Sequence, residues 1–324
     1  MTHISAIGKY LDQPILTAKV NKYIPLALSI GAASILIKNI HSSPDKDKSK
    51  RAIKDFVILG ATALSAISAP YIASKLTGRE MPYQLAEVKK ENQKLVDYFI
   101  KENPNTELKN ILEKSKSKLL SLKDISILFN KEKEFANKLI PPPKNIQAKD
   151  IFKEIGYLSI YGAIPVIGGI MGGITADKIT ESRWKEKIPD KIKEGLYQYL
   201  ANIFMCNIGA GAALGILEKT GIKSKTARCI GMVTGIILTG IIGGSKIANF
   251  IGNKIINPIA YKNKNIKHEK EKRIPEPLDI SLHADDIATV SLLSGLKWIE
   301  PALPILYSIS GYRAGIGYRN DKKN

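Results

Sequence analysis

IGYLSIYGAIPVIGGIMGGITA, residues 155–176, runs for twenty-two positions without a charge and contains six glycines. A helix needs roughly 20 residues, at about 1.5 Å each, to cross a hydrocarbon core. A helix on a soluble core shows an apolar stripe and an opposite charged face. This run has no charged face, so its sequence asks for burial on every side. Two further uncharged runs follow at 195–217 and 229–245.

Glycines recur through these runs at four-residue spacing: Gly168 and Gly172, Gly169 and Gly173, Gly211 and Gly215, Gly231 and Gly235, Gly240 and Gly244. Lipid supplies little hydrophobic drive between helices, so close backbone packing through small residues is what holds a membrane bundle together. These ten glycines are therefore expected at helix contacts.

Working outward, three more apolar runs appear. The first, 23–37, is short, about 22 Å as a helix, and is expected to remain as an uncleaved span. The second, 56–74, contains Pro70, which is expected to kink or end it. The last, 287–312, is broken at 297–304. The chain reads as an all-α polytopic membrane protein of about six glycine-rich transmembrane helices with a small helical extramembrane domain. The expected segments are an N-terminal membrane hairpin (1–76), a soluble helical domain with a proline-rich linker (77–153), and a membrane hairpin (154–220). A second hairpin with a basic tail closes the chain (221–324). In the soluble part, Leu85, Val88, Leu95 and Phe99 form one helical stripe with Asn92 among them, and Leu108, Leu112, Leu119 and Leu122 form another.

The whole-chain averages conceal this division. The chain has 324 residues, a formal net charge of +19 and a mean hydropathy of −0.07. The lysines lie in the links between apolar runs, where anionic lipid headgroups attract them. That placement, and the lack of a nucleic-acid-binding motif, argues against nucleic acid as the partner. Counted over six crossings, basic residues divide evenly, nineteen on each side, so the positive-inside rule leaves the orientation open. Segment 257–273 and the tail from Arg319 read as solvated charge.

An internal similarity links 165–179 with 238–255. Each is followed by a basic-Ile-Pro-acidic tetrapeptide, Lys187-Ile-Pro-Asp190 and Arg273-Ile-Pro-Glu276. The pattern suggests two copies of one helical hairpin, as in many transporter folds.

Candidate functional residues are few. Lys297 and Glu300 share a helical face within the broken last run, beside Pro301. Charged residues inside a span are costly and mark substrate or ion pathways. Asn202 and Asn207 lie within the 195–217 run and can bond across helices. Asp279, His283 and Asp286 offer a helical arrangement of metal-ligand types. Cys206 and Cys229 lie in or beside apolar runs with no metal-binding spacing. Phosphate-loop, dinucleotide, zinc-protease and serine-hydrolase motifs are absent from the sequence, and no cofactor is expected. The best reading is a transporter or channel in the cell membrane, multi-pass, with Lys297, Glu300, Asn202 and Asn207 on its path. The alternative is a membrane scaffold that forms homo-oligomers through its small-residue faces and docks a protein partner through 77–150. An enzyme built on His283 ranks third.

Overall fold

The computed structural model describes residues 3–79, 81, 83–142, 147–222, 224–261, 271–282, 303–320 and 322–323. Their structure is all-α apart from one two-residue antiparallel pairing, Glu271 with Lys323 and Lys272 with Lys322. Five helical stretches are long and apolar enough to cross a membrane: Pro14–His41, Asp45–Thr77, Phe152–Thr180, Trp184–Lys219 and Ile230–Ala260. The chain is an all-α polytopic membrane protein. The sixth run, 287–312, lies partly outside the described residues.

The chain divides into two compact bodies. The first is built from residues 1–24 and 81–146. It contains α1 (His3–Leu11), the start of α2 (Pro14–His41), α4 (Leu85–Glu102), α5 (Lys109–Ser115), α6 (Leu122–Lys131) and α7 (Lys133–Leu139). Its core joins Val96, Leu112, Ile125, Leu128, Phe135 and Leu139, with Phe99 and Phe135 rings 4.3 Å apart. Asn92, set within the apolar stripe of α4, is buried because its amide donates to the Ser115 carbonyl at 3.0 Å. Residues 3–24, expected in the N-terminal hairpin, pack in this body. Gln13 exchanges two hydrogen bonds with the backbone of Leu120, at 3.1 and 2.8 Å, and Ile15 and Ala18 pack with Val88.

The second body holds the other membrane helices. The α2 helix is longer than its apolar run, continuing past Lys19 and Lys22 at one end and Lys38 at the other. The shortness of run 23–37 therefore does not limit the helix, which is 28 residues long. α3 (Lys48–Thr77) passes through Pro70 and ends only at Gly78, whose φ of 70° is the left-handed conformation that closes many helices. A proline can sit inside a membrane helix where surrounding helices and side chains satisfy the freed carbonyl. α8 (Ala148–Thr180) contains Pro165 in the same manner.

The return path is interrupted. α9 (Ile188–Tyr199) starts with Pro189 in its first turn, where the missing N–H costs nothing. A π-helical turn, Leu200–Phe204, leads into α10 (Met205–Lys219). Next come α11 (Lys225–Ile236), a π-helical stretch Ile237–Gly244, α12 (Ser245–Ile251), another π turn Gly252–Ile256, and α13 (Asn257–Ala260). Among the described residues, the pair β1 (Glu271–Lys272) and β2 (Lys322–Lys323) flanks the helices α14 (Pro277–Leu282) and α15 (Leu303–Ile316).

Small residues set the packing. A Cβ on Gly169 or Gly173 would overlap the carbonyl of Gly311 or Gly315, so α8 and α15 run parallel with backbones in contact. On the adjoining face, a Cβ on Gly168 would collide with Ser65 and one on Gly172 with Ala61, which makes α3 antiparallel to α8. Gly209 meets Gly235, and Gly240 and Gly244 lie against Cys206 and the Leu200–Ala201 backbone, so α10 and α11–α12 are antiparallel. An apolar cluster of Tyr157, Tyr161, Ile203, Leu303 and Tyr307 lies between these contacts.

Candidate functional site

The alternating helix directions bring the start of α3, the end of α8, the start of α9 and the end of α15 to one end of the second body. Charged residues at these positions form a buried ionic network there. Glu194 of α9 is wholly buried, and so is Arg273, which precedes α14. An isolated buried charge costs far more than a protein can spare, so such groups must be paired and hydrogen-bonded.

The pairing here is extensive. Arg273 Nε meets Glu194 Oε2 at 3.1 Å, and its Nη2 donates to both oxygens of Asp279, at 3.2 and 3.1 Å. Arg313 of α15 donates to Asp279 Oδ1 at 3.0 Å and to Glu276 Oε2 at 2.8 Å. Glu276 also accepts from Tyr318 Oη at 2.8 Å and Asn320 Nδ2 at 2.7 Å. Asn249 holds the Arg273 backbone by two bonds of 2.9 Å, and the guanidinium lies 4.3 Å from the Tyr197 ring centre. Burial would raise the Glu276 pKa, yet bonds from Tyr318, Arg313 and Asn320 hold it below the usual carboxylate range. For Arg273, burial pulls downward, but Glu194 and Asp279 outweigh it and raise the guanidinium further.

A second network adjoins on α3 and α8. Lys54 Nζ contacts Asp177 at 2.6 Å and Glu181 at 3.1 Å. Lys191 contacts Asp177 at 2.9 Å and donates to the Gly315 carbonyl at 2.5 Å. Glu181 also pairs with Lys187. Burial would raise Glu181, but its hydrogen bonds to Lys187 and Lys54 lower it to about 2. Nearby, Asp55 accepts from Asn39 and from Arg51, each at 2.8 Å.

From Glu194 a polar file runs into the membrane span. Gln198 Nε2 donates to Glu194 Oε1 at 2.8 Å, and Asn202 Nδ2 donates to Gln198 Oε1 at 2.8 Å. All three side chains are buried. Their i, i+4 spacing carries the file eight residues along one face, about 12 Å. It ends inside the π turn Leu200–Phe204. Single π turns within α-helices frequently occur at functional sites.

The candidate residues are distributed unevenly. Asn202 belongs to the polar file, whereas Asn207 donates to the Ile203 carbonyl at 2.9 Å. Asp279 is engaged by two guanidinium groups. His283, Asp286, Lys297 and Glu300 lie outside the described residues. Among the described residues, no group of three His, Cys, Asp or Glu side chains is arranged to hold a metal. Of the spaced glycines, Gly211 is buried in α10, Gly215 has only an ordinary approach to Ala148, and Gly231 and Gly235 face α10.

Arg273 corrects the sequence reading. It lies in a run of charges that looked solvated, yet it is 0% exposed. The Arg319 side chain, expected to be solvated, is 14% exposed. Glu194 and Arg313 were not singled out because each borders an apolar run, where a charge ordinarily reaches for water. The available signal was the Arg273-Ile-Pro-Glu276 tetrapeptide, whose charged ends both join the network.

No protein-family model matches the chain, and neither a curated protein nor a solved structure matches it.

Proposed function

We propose that the chain moves a small polar or charged solute across the cell membrane, as a transporter or channel, along a path that includes Glu194, Gln198 and Asn202. The observation that carries this reading is the hydrogen-bonded file that leads from Glu194, at the ionic end, to Asn202 within the uncharged run 195–217. Polar side chains are expensive at that depth and tend to line pathways. The π turn at its inner end is a discontinuity of the kind transporters use around a substrate. Lys297 and Glu300 belong to the same proposal on their sequence pattern.

The test is flux in proteoliposomes. Vesicles containing the wild-type chain or Asn202→Leu are assayed for protons with a trapped pH dye, and for radioactive sodium and chloride. The expected result is flux of at least one of these through the wild-type chain, reduced tenfold or more in Asn202→Leu at unchanged thermal stability. Equal flux in the variant would count against the path.

The scaffold reading is favoured by a different observation. Among the described residues most of the membrane stretch of α2 has no packing partner, leaving Tyr23, Leu26, Ile30 and Ile37 exposed. That face is available to lipid or to a helix of another molecule, and 77–150 offers a docking domain beside it in sequence.

A further inference from the structure

Because α15 runs parallel to α8, the residues after it arrive at the ionic end of the second body. There β2 pairs with β1, and Asn320 bonds to Ile274 and Glu276. The basic residues of the tail therefore add to those of 38–54, 177–194, 254–261 and 271–273. Among the described residues of this body the ionic end carries nineteen Lys and Arg residues, while the opposite end, formed by 75–79, 147–153, 219–222 and 224–228, carries seven. The even division expected from six simple crossings ends with the tail on this side, since its four basic residues pass from one total to the other.

The charges at the ionic end form two layers. The inner ones, such as Lys54, Lys191, Arg273 and Arg313, are taken up by buried carboxylates. The outer ones, among them Lys46, Lys50, Lys178, Arg183, Lys185 and Lys254, are exposed. They ring the ends of helices that leave the apolar layer at this level. Trp184 lies between Arg183 and Lys185, with the Lys185 ammonium 5.6 Å from its ring centre. Tryptophan is enriched at membrane–water interfaces, and basic residues next to membrane spans collect on the cytoplasmic side.

We propose that the ionic end of the second body faces the cytoplasmic leaflet and that its exposed Lys and Arg side chains rest on anionic lipid headgroups. The inner network pairs the buried charges with one another, so the outer layer is left to meet the surface. Attraction of this kind falls off within a Debye length and requires charges at headgroup height, as the ring supplies.

Two measurements test the proposal. Reporter cysteines are introduced by Ser182→Cys at the ionic end and Thr220→Cys at the other, with Cys229 replaced by Ala and the wholly buried Cys206 kept, and intact cells are treated with a membrane-impermeant maleimide. Thr220→Cys is expected to label in intact cells, and Ser182→Cys only after permeabilisation; the reverse pattern overturns the orientation. The purified chain is also melted in vesicles of phosphatidylcholine alone and with phosphatidylglycerol added. The anionic vesicles are expected to raise the melting temperature of the wild type. They should raise it less for Lys46→Gln/Lys50→Gln/Lys185→Gln, and should act undiminished on Lys219→Gln/Lys225→Gln at the opposite end. Equal melting in both vesicle types overturns headgroup contact, as does lipid-independent melting accompanied by retention of RNA through the same lysines at physiological salt.

Discussion

At the scale of single residues, the molecule is defined by charges whose sequence surroundings hide them. Arg273 follows a lysine-rich segment and reads as one more solvated cation. Its carboxylate partner Glu194 is seventy-nine positions away, and no local pattern announces a pairing at that separation. Removing one member of a buried pair typically costs about 3–5 kcal/mol, because the other charge stays buried without compensation. Arg273→Met is therefore expected to lower stability by that order, read from the denaturation midpoint in detergent. Arg273→Met combined with Glu194→Gln should lose less than the sum of the two single losses, since the two groups are coupled. Strict additivity would mean that the network does not act as a unit.

At the scale of elements, the apolar runs were legible and their limits were not. Burial on every side follows directly from twenty-two uncharged residues, and α8 contains all of them. Its extension to Thr180, and the start of α9 at Ile188, depend on Asp177, Glu181, Lys187 and Lys191 finding one another across the turn. The π turns were invisible in sequence; two of them, Leu200–Phe204 and Ile237–Gly244, lie against each other where Gly240 and Gly244 meet Cys206 and the Leu200–Ala201 backbone. The α8–α9 turn also has a pH signature. Glu181 is held at about 2 in the folded chain, against an ordinary value of 4.5. Its folded value is depressed, so its contribution is fully present above about pH 4.5 and is lost as the pH falls through about 2. The stability difference between the wild type and Glu181→Gln should be constant at neutral pH and shrink over that acid window. A difference that ignores pH would remove the ion pairs with Lys187 and Lys54 from the account.

At the scale of the whole molecule, the four-residue glycine spacing had two readings, contact within one chain or between copies. The described helices favour the first at the centre of the bundle. Gly169 and Gly173 are occupied by α15, with the Gly311 and Gly315 backbone in the way, and Gly168 and Gly172 by α3, with the short side chains of Ser65 and Ala61 in the way. What sequence could not reveal was the direction of the last helix, because α15 lies parallel to α8 where a simple hairpin would return antiparallel. That single direction brings Arg313 to Glu194 and Asp279 and fixes the ionic end. The central claim is that the glycine faces close the bundle inside one chain, and Gly169→Leu tests it most directly when stability and molecular mass are measured together in detergent. The account predicts a loss of about 1–3 kcal/mol or more, with the molecular mass of whatever folded protein remains equal to that of the wild type. A variant with wild-type stability that merely falls from a larger assembly to a smaller one would contradict it.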